Sequence, residues 1–299
     1  MAGGEGAVLV GAASAGAGGR QRGAVLALGG GQEGRQYEVP GDLAWLATGQ
    51  QDFEHFGSSI AVSEDQLLVA VGSPAYRVAA NADDSFSPDD VEMAGKVSVF
   101  SRADGEVSLL HQETGVGQSS SLGASLAFVS AVVEGERGEY LAVGQPASNS
   151  SSSDSHVQTG SVLLRQRDQN NISLTISGNM EVGRFGLTLT RGWDGGLLVS
   201  APYAGLGLSN HGKVYHYSAS SSLPSDDVTS HCVSRPAPCT EEWSDLLLVG
   251  QQEEESLFGS ALSWSRAGDG SLTLAVAAER SSLGSRMGGA VLLYNIPDQ

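Results

Sequence analysis

Basic residues are scarce in this sequence. Sixteen Lys and Arg stand against 34 Asp and Glu in 299 residues, for a formal net charge of −18. The basic residues form neither a cluster nor a basic helix. Phosphate backbones and anionic lipid surfaces would therefore repel the chain, which excludes nucleic-acid binding. The acid excess is consistent either with a solubilising surface or with cation binding.

Long hydrophobic runs are also missing. No apolar stretch approaches the roughly 20 residues of a membrane-spanning helix. The start of the chain, residues 1–6, lacks the basic beginning and apolar stretch of a secretory signal. Taken alone, these features are typical of a cytosolic protein.

Cysteine is limited to two positions, Cys232 and Cys239, in a loop-like segment that holds two prolines. A pair this close in sequence can close a small disulfide in an oxidising compartment, or both thiols can remain free. Two glycosylation sequons begin at Asn149 and Asn171, each beside polar loop sequence. Together the cysteines and sequons favour a secreted protein and outweigh the missing signal.

Catalytic motifs are absent as well. The sequence contains no Gly-x-Ser-x-Gly elbow, no P-loop and no Cys-x-x-Cys. Its six histidines are scattered, and no pair has the helical spacing of a zinc site. The sequence therefore predicts no catalytic residues and no bound cofactor in this chain.

What the sequence does contain is a repeat of three ordered segments. A large apolar residue followed by glycine opens each unit, at positions 56, 122, 185 and 258. A Val- and Leu-rich run follows and ends in a turn such as Gly72-Ser73-Pro74. A Gly-x-Val segment then begins the third run. A fifth unit at the N-terminus starts part-way, with residues 7–13 matching the second segment and 23–28 the third.

Short apolar runs bounded by Gly, Pro, Ser and Asp predict buried strands rather than helices. Candidate fourth strands follow at 106–110, 172–176 and 246–249. Four-stranded units cannot each bury both sheet faces alone, so we expect them to stack radially as blades. The prediction is an all-β fold, a single β-propeller region over 1–299 with antiparallel blades and about five units. Their approximate bounds are 1–50 (partial), 51–118, 119–180, 181–253 and 254–299 (lacking its last strand).

These segments resemble the FG-GAP repeat family. The cleanest copy combines Phe185-Gly186, Ser200-Ala201-Pro202 and Gly212-Lys213-Val214-Tyr215. In this family such repeats form the propeller of integrin α subunits and the C-terminal region of secreted, glycosylphosphatidylinositol-specific phospholipases D. The resemblance implies a non-catalytic accessory or binding part of such a phospholipase, whose chemistry belongs to a His-rich N-terminal domain. The alternative is an integrin-like extracellular adhesion propeller. The implied partners are proteins, either ligands or the catalytic domain itself.

Calcium loops distinguish these two relatives. Integrin-like blades carry an Asp-x-Asp-x-Asp-Gly loop after the Phe-Gly strand, whereas the corresponding loops here have no three alternating acids. Asp194 and Asp269 keep only a terminal Asp-Gly, which fits a weak calcium ligand or a plain β-turn. The degenerate loops favour the phospholipase relative. Because the first unit lacks its opening strand, we expect the chain to be the C-terminal part of a longer secreted protein.

Overall fold

The computed structural model describes most of the chain and shows five β-sheets. The described residues are 8–16, 18–28, 45–80, 87–103, 106–133, 135–149, 158–167, 172–178, 180, 182–205, 211–223, 244, 246–250, 256–283 and 288–296. Within these ranges all regular structure is β, so the all-β prediction is confirmed. No helix in this part of the chain is long and apolar enough to cross a membrane.

Eighteen of the nineteen strands in the described residues fall into five groups in chain order. Sheet I contains β1 (Val8–Ala12), β2 (Ala24–Leu28) and β3 (Trp45–Thr48). Sheet II contains β4 (Ser59–Val62), β5 (Leu68–Ser73), β6 (Lys96–Ala103) and β7 (Glu106–Thr114). Sheet III contains β8 (Ser125–Val133), β9 (Glu136–Gln145), β10 (Ser161–Gln166) and β11 (Ile172–Ser177). Sheet IV contains β12 (Leu189–Arg191), β13 (Leu197–Ala201), β14 (Lys213–Tyr217) and β16 (Leu246–Val249). Sheet V contains β17 (Phe258–Arg266), β18 (Leu272–Ala278) and β19 (Ala290–Ile296).

Within each sheet the strands pair antiparallel in chain order, as in β4-β5-β6-β7. The three candidate fourth strands are present as the outer strands β7, β11 and β16. One element departs from this pattern. The short strand β15 (Ser222–Leu223) follows β14 of sheet IV but pairs parallel with β8 of sheet III.

Successive sheets pack face to face. Four hydrophobic clusters occupy the I–II, II–III, III–IV and IV–V interfaces. Every residue of β5 and of β13 is buried, because the middle sheets are covered on both sides. Sheet V instead leaves one face open, where Val291 and Leu293 of β19 are 65% and 69% exposed. The described residues do not form a closed ring.

Candidate functional site: sheet junctions, buried ion pairs and turn carboxylates

The repeat motif lies at the junctions between sheets. At the III–IV junction Phe185 is buried, and its N–H donates to the carbonyl of Thr159, the residue before Gly160, at 3.0 Å. The N–H of Gly186 donates to the carbonyl of Ser200 at the end of β13, at 2.9 Å. The Phe-Gly pair thus ties its own sheet to the preceding one.

Two glycines allow the chains to approach closely at this junction. A Cβ on Gly160 would lie 2.2 Å from the carbonyl oxygen of Phe185, and Gly160 itself has φ +81°. A Cβ on Gly144, at the end of β9, would lie 2.2 Å from the carbonyl oxygen of Gly186. A side chain at either position would push the two sheets apart. The motif is therefore explained by packing.

The other junctions repeat this geometry. Parallel bridges join the glycine just before β2, β6 or β10 to the large apolar residue that opens the next unit. The pairs are Gly23–Phe56, Gly95–Leu122 and Gly160–Phe185. The corresponding close approach of sheets IV and V is between Gly212 and Phe258. One repeated contact explains why the sequence units share these residues.

A further set of glycines was not predicted. Each stands directly after an outer strand, and its N–H donates to the carbonyl of the glycine that precedes the neighbouring strand of the same sheet (β2, β6, β10 or β14). The four bonds run from Gly49 to Gly23, Gly115 to Gly95, Gly178 to Gly160 and Gly250 to Gly212, at 3.0, 2.9, 2.8 and 2.9 Å. Aligning the fourth strands of the units by sequence would have revealed them.

A fully buried ion pair lies beside the I–II junction. Lys96 is 2% exposed and Glu54 is 0% exposed, with Lys96 Nζ 3.1 Å from Glu54 Oε2. The Lys96 ammonium also lies 4.0 Å from the ring centroid of Tyr76. Glu54 accepts the backbone N–H groups of Gln50 and Gln51 at 3.0 and 3.1 Å. Burial lowers the pKa of Lys96, and the charge of Glu54 opposes that shift. The pair is a fixed structural link between the loop before β4 and the start of β6.

A second ion pair joins the outer parts of sheets II and III. Buried Arg165 of β10 contacts Glu113 of β7. Burial lowers the pKa of Arg165 to about 10. Burial also lowers the pKa of His111, with the Arg165 charge adding to the effect. Arg165 and Glu113 therefore contribute to the packing of sheet II against sheet III.

A network of charged side chains connects sheets II, III and IV at the ends that lie away from the Phe-Gly junctions. Arg167 NH1 lies 2.9 Å from Glu139 Oε2, and Arg167 also pairs with Asp65. The backbone N–H of Glu64 donates to Glu139 Oε1 at 3.0 Å, and Arg191 NH2 lies 2.8 Å from Glu64 Oε2. The turn after β4 is thereby linked to both following sheets.

Asp65 of this network accepts several hydrogen bonds. Hydrogen bonds from the Ser63 hydroxyl, the backbone N–H of Leu67 and Arg167 lower the pKa of Asp65 to about 2. The Ser63 and Leu67 bonds measure 2.7 and 3.0 Å. Asp65 is consequently ionised throughout the physiological pH range.

Asp194 occupies a turn between β12 and β13 and is held by neighbouring groups. The N–H groups of Gly196 and Ala219 donate to its two carboxylate oxygens at 2.9 and 3.0 Å. His216 Nε2 lies 3.0 Å from Asp194 Oδ1, and the imidazole stacks on Trp193 at 4.3 Å between centroids. Burial raises the pKa of Asp194, but hydrogen bonds from His216, the Gly196 N–H and the Ser218 side chain outweigh it and hold the pKa far below its usual range.

Asp269 occupies the equivalent turn of sheet V. Its Oδ1 accepts the backbone N–H and the hydroxyl of Ser271 at 3.0 and 2.7 Å. The side chain is exposed and lies in a different sheet from Asp194, so the structure does not bring the two candidate ligands together. Among the described residues, no three His, Cys, Asp or Glu side chains are grouped as a metal site would require. Both aspartates have the hydrogen bonds of a β-turn, and their binding of calcium stays a prediction.

The remaining predicted sites divide between described and undescribed parts of the chain. Asn149 is exposed after β9, and its Oδ1 accepts the backbone N–H of Gln158 at 2.9 Å. Asn171, Cys232 and Cys239 lie outside the described residues. The disulfide and the second sequon therefore stay predictions.

Comparison with known proteins relates the chain to one enzyme. It is similar to phosphatidylinositol-glycan-specific phospholipase D. The chain is 30% identical to the Bos taurus enzyme over 315 residues, covering 97% of this chain and 37% of that protein. The Homo sapiens enzyme is 28% identical over 313 residues with the same coverage. The Mus musculus enzyme is 30% identical over 275 residues, covering 84% of this chain and 32% of that protein.

The coverage limits what the similarity shows. The chain spans just over a third of the length of the phospholipase D relatives that it matches. No family model matches the chain. The similarity shows that this chain corresponds to a region of the phospholipase D sequences, and it does not by itself assign their activity to the chain.

Proposed function

We propose that this chain is an FG-GAP-type β-propeller region, the non-catalytic C-terminal part of a secreted phospholipase D that hydrolyses glycosylphosphatidylinositol anchors. The observation that carries the proposal is the similarity over 97% of this chain to only 37% of the Bos taurus enzyme. The match covers only about a third of each relative. The remaining two thirds of the relatives therefore have room for their catalytic residues outside the matched region. The role of this region is to bind a partner protein or to support the catalytic part.

The propeller arrangement is supported by where successive sheets meet. The first strands β4, β8, β12 and β17 contact one another in sequence, and the second strands β5 and β13 add to these contacts. The outer strands β7, β11 and β16 take no part in these main contacts between sheets. Sheets that meet at their first strands and diverge outward are arranged radially, as propeller blades are. The open face of sheet V is then the position for a further blade.

Secretion and modification follow from the same proposal. Exposed Asn149 begins an Asn-Ser-Ser sequon, and its hydrogen bond with Gln158 uses the side-chain oxygen rather than the amide nitrogen that a glycan modifies. We expect glycans at Asn149 and Asn171 and a disulfide between Cys232 and Cys239 when the chain passes through the secretory pathway.

The activity test uses the purified 299-residue chain and a glycosylphosphatidylinositol-anchored reporter on vesicles. We expect no reporter release above buffer, while the full-length Bos taurus enzyme, as positive control, releases it. Reporter release by this chain that increases with its concentration and survives repurification would overturn the non-catalytic assignment.

The modification test uses the chain expressed in mammalian cells behind a supplied leader peptide. We expect endoglycosidase treatment to reduce its apparent mass, with smaller shifts for N149Q and N171Q and none for the double variant. Peptide mapping without reduction should recover Cys232 and Cys239 in one cross-linked fragment. Unmodified sequons in secreted protein would contradict this part of the proposal.

A further inference from the structure

Consecutive sheets are joined by a linker whose two ends are bonded to the same short stretch of backbone. At the II–III junction the N–H of Gly115, directly after β7, donates to the carbonyl of Gly95 at 2.9 Å. Seven residues later, the N–H of Leu122 donates to the carbonyl of Ala94 at 3.0 Å. The linkers of the I–II and III–IV junctions make both bonds as well, to the acceptor pairs Arg22-Gly23 and Thr159-Gly160. Each of these linkers is therefore held by two adjacent carbonyls just before β2, β6 or β10.

The acceptor glycine of this contact is present in all five sheets. It has φ between +81° and +83° in sheets I to IV, where it is Gly23, Gly95, Gly160 and Gly212. Gly289 of sheet V has φ +74°, and its N–H donates to Ser281 at 3.0 Å, as the other four donate to the turn before them. In sheets I to IV a Cβ on this glycine would lie 2.1 to 2.3 Å from the carbonyl oxygen of the residue that opens the next sheet. For Gly289 the nearest atoms belong instead to Glu279 and Ala278 of its own sheet.

The strand that follows the acceptor glycine also differs in sheet V. Residues two and four after this glycine are buried in sheets II, III and IV, and Val162 and Leu164 are 0% and 1% exposed. The equivalent residues of β19 are Val291 and Leu293, which are 65% and 69% exposed. In sheets I to IV an outer strand pairs with this strand, whereas in the described part of the chain β19 pairs only with β18. Sheet V thus has the acceptor geometry, an exposed apolar face and an unpaired strand edge together.

The other junctions define the segment that makes these three contacts. In each it consists of an outer strand, a glycine, and a Phe-Gly or Leu-Gly pair that begins seven or eight residues after that glycine. The sequence holds four segments of this form, and all four are used at their own junctions. Their glycines are Gly49, Gly115, Gly178 and Gly250. A fifth segment for sheet V must therefore come from outside this chain.

We propose that sheet V is an acceptor site for one polypeptide segment of this form, supplied by the part of the longer protein that lies outside this chain. Its outer strand pairs antiparallel with β19, its glycine donates to Gly289, and the strand after its Phe-Gly or Leu-Gly pair covers Val291 and Leu293. Main-chain bonds to a free strand edge supply affinity, and the apolar side chains supply specificity. The chain matches only 37% of the Bos taurus enzyme, so the relatives have further sequence that can provide the segment. The origin of the segment rests on the proposed function, whereas the form of the site rests on the geometry of the five sheets.

The test is binding of a fluorescently labelled peptide to the purified 299-residue chain, measured by anisotropy. The peptide copies residues 172–191, which contain an outer strand, Gly178 and the pair Phe185-Gly186. A control peptide of the same length and charge carries Phe185→Ser and Gly186→Val. We expect saturable binding of the first peptide with a Kd below about 100 μM. We expect the control peptide to bind at least about 10-fold more weakly, because it loses a large apolar side chain and the close approach that glycine allows.

A variant of the chain locates the bound peptide. Leu293→Ser changes the exposed face of sheet V, and its matched control is Val116→Ser, which changes a side chain that is 95% exposed in the linker after β7. Neither substitution removes a buried side chain, so both variants should melt within a few degrees of the wild type. We expect Leu293→Ser to weaken peptide binding at least about 5-fold and Val116→Ser to leave it unchanged.

Three results would overturn the proposal: no binding of the peptide to the wild type, equal binding of the control peptide, or equal binding by Leu293→Ser. Self-association of the chain in sedimentation experiments that Leu293→Ser abolishes would assign the face to a second copy and would also overturn it. Release of the anchored reporter by the chain would overturn the non-catalytic assignment and leave the peptide result standing, so the two failures are distinguishable.

Discussion

Replacing Gly160 with alanine should destabilise the protein more than any other single methyl addition to a described loop of the third sheet. Two effects combine at this position. The left-handed φ of +81° costs an alanine about 1 kcal/mol relative to glycine. The added Cβ would also lie 2.2 Å from the carbonyl oxygen and 2.4 Å from the amide nitrogen of Phe185. Both are backbone atoms of the neighbouring sheet and cannot rotate away.

The structure offers two glycines that separate these effects. Gly270 has φ +91° with no atom within 4 Å of a Cβ, so Gly270→Ala tests the conformational cost alone. Gly268 has neither a left-handed φ nor a near atom, so Gly268→Ala tests the substitution itself. We expect a loss of about 1 kcal/mol for Gly270→Ala and a change within about 0.5 kcal/mol for Gly268→Ala. For Gly160→Ala we expect a loss of about 4 kcal/mol or more, or failure to fold, since the sheets must separate.

Urea unfolding followed by tryptophan fluorescence measures these differences, because Trp193 and Trp264 lie in the IV–V packing region. If Gly160→Ala unfolds at the same urea concentration as Gly270→Ala, the close approach of sheets III and IV contributes nothing measurable. The account of the Phe-Gly motif as a packing device would then be wrong.

Three further predictions follow from the charged groups. Glu54→Gln leaves the Lys96 ammonium buried without its carboxylate, so we expect a loss of about 3–5 kcal/mol in urea unfolding, part of which Lys96→Met should restore in the double variant. Because the pKa of Asp65 is lowered to about 2, its stabilising effect is complete above pH 3.8 and is lost as the pH falls toward 2; the stability of Asp65→Asn should therefore depend less on pH between 4 and 2. Millimolar calcium should raise the melting temperature of the wild type by less than about 1 °C, and a rise of several degrees that Asp194→Asn abolishes would instead favour an adhesion-type calcium loop.

Most strands could be predicted because each junction imposes the same residues on every unit. Phe56-Gly57 and Phe185-Gly186 meet the same steric requirement, so the requirement is visible as a repeat. The outer strand β3 was missed because its unit is degenerate, and the two-residue strand β15 carries too little pattern to be detected. The spacing of the sequence motifs gave no indication that β15 pairs with sheet III, the sheet that precedes its own.

The candidate site was less predictable because its contacts join distant parts of the chain. Lys96 reads as an ordinary residue of a Gly-Lys-Val segment, and its partner Glu54 lies in the linker before the same sheet's first strand. From the sequence alone, Asp194 could be interpreted either as part of a β-turn or as a calcium ligand. The hydrogen bonds that hold it come from its own turn and from His216, a strand residue whose buried face cannot be assigned from a short run such as β14.

The crossing of β15 has a consequence for the order in which the protein matures during synthesis. The edge of β8 at Val132–Val133 is paired by Ser222–Leu223, so it stays uncovered until some ninety residues more have left the ribosome. An uncovered strand edge is a template for pairing with other chains. The edge of sheet III therefore depends on a segment translated after it, and a ribosome pause before residue 222 would prolong its period of exposure to misassembly.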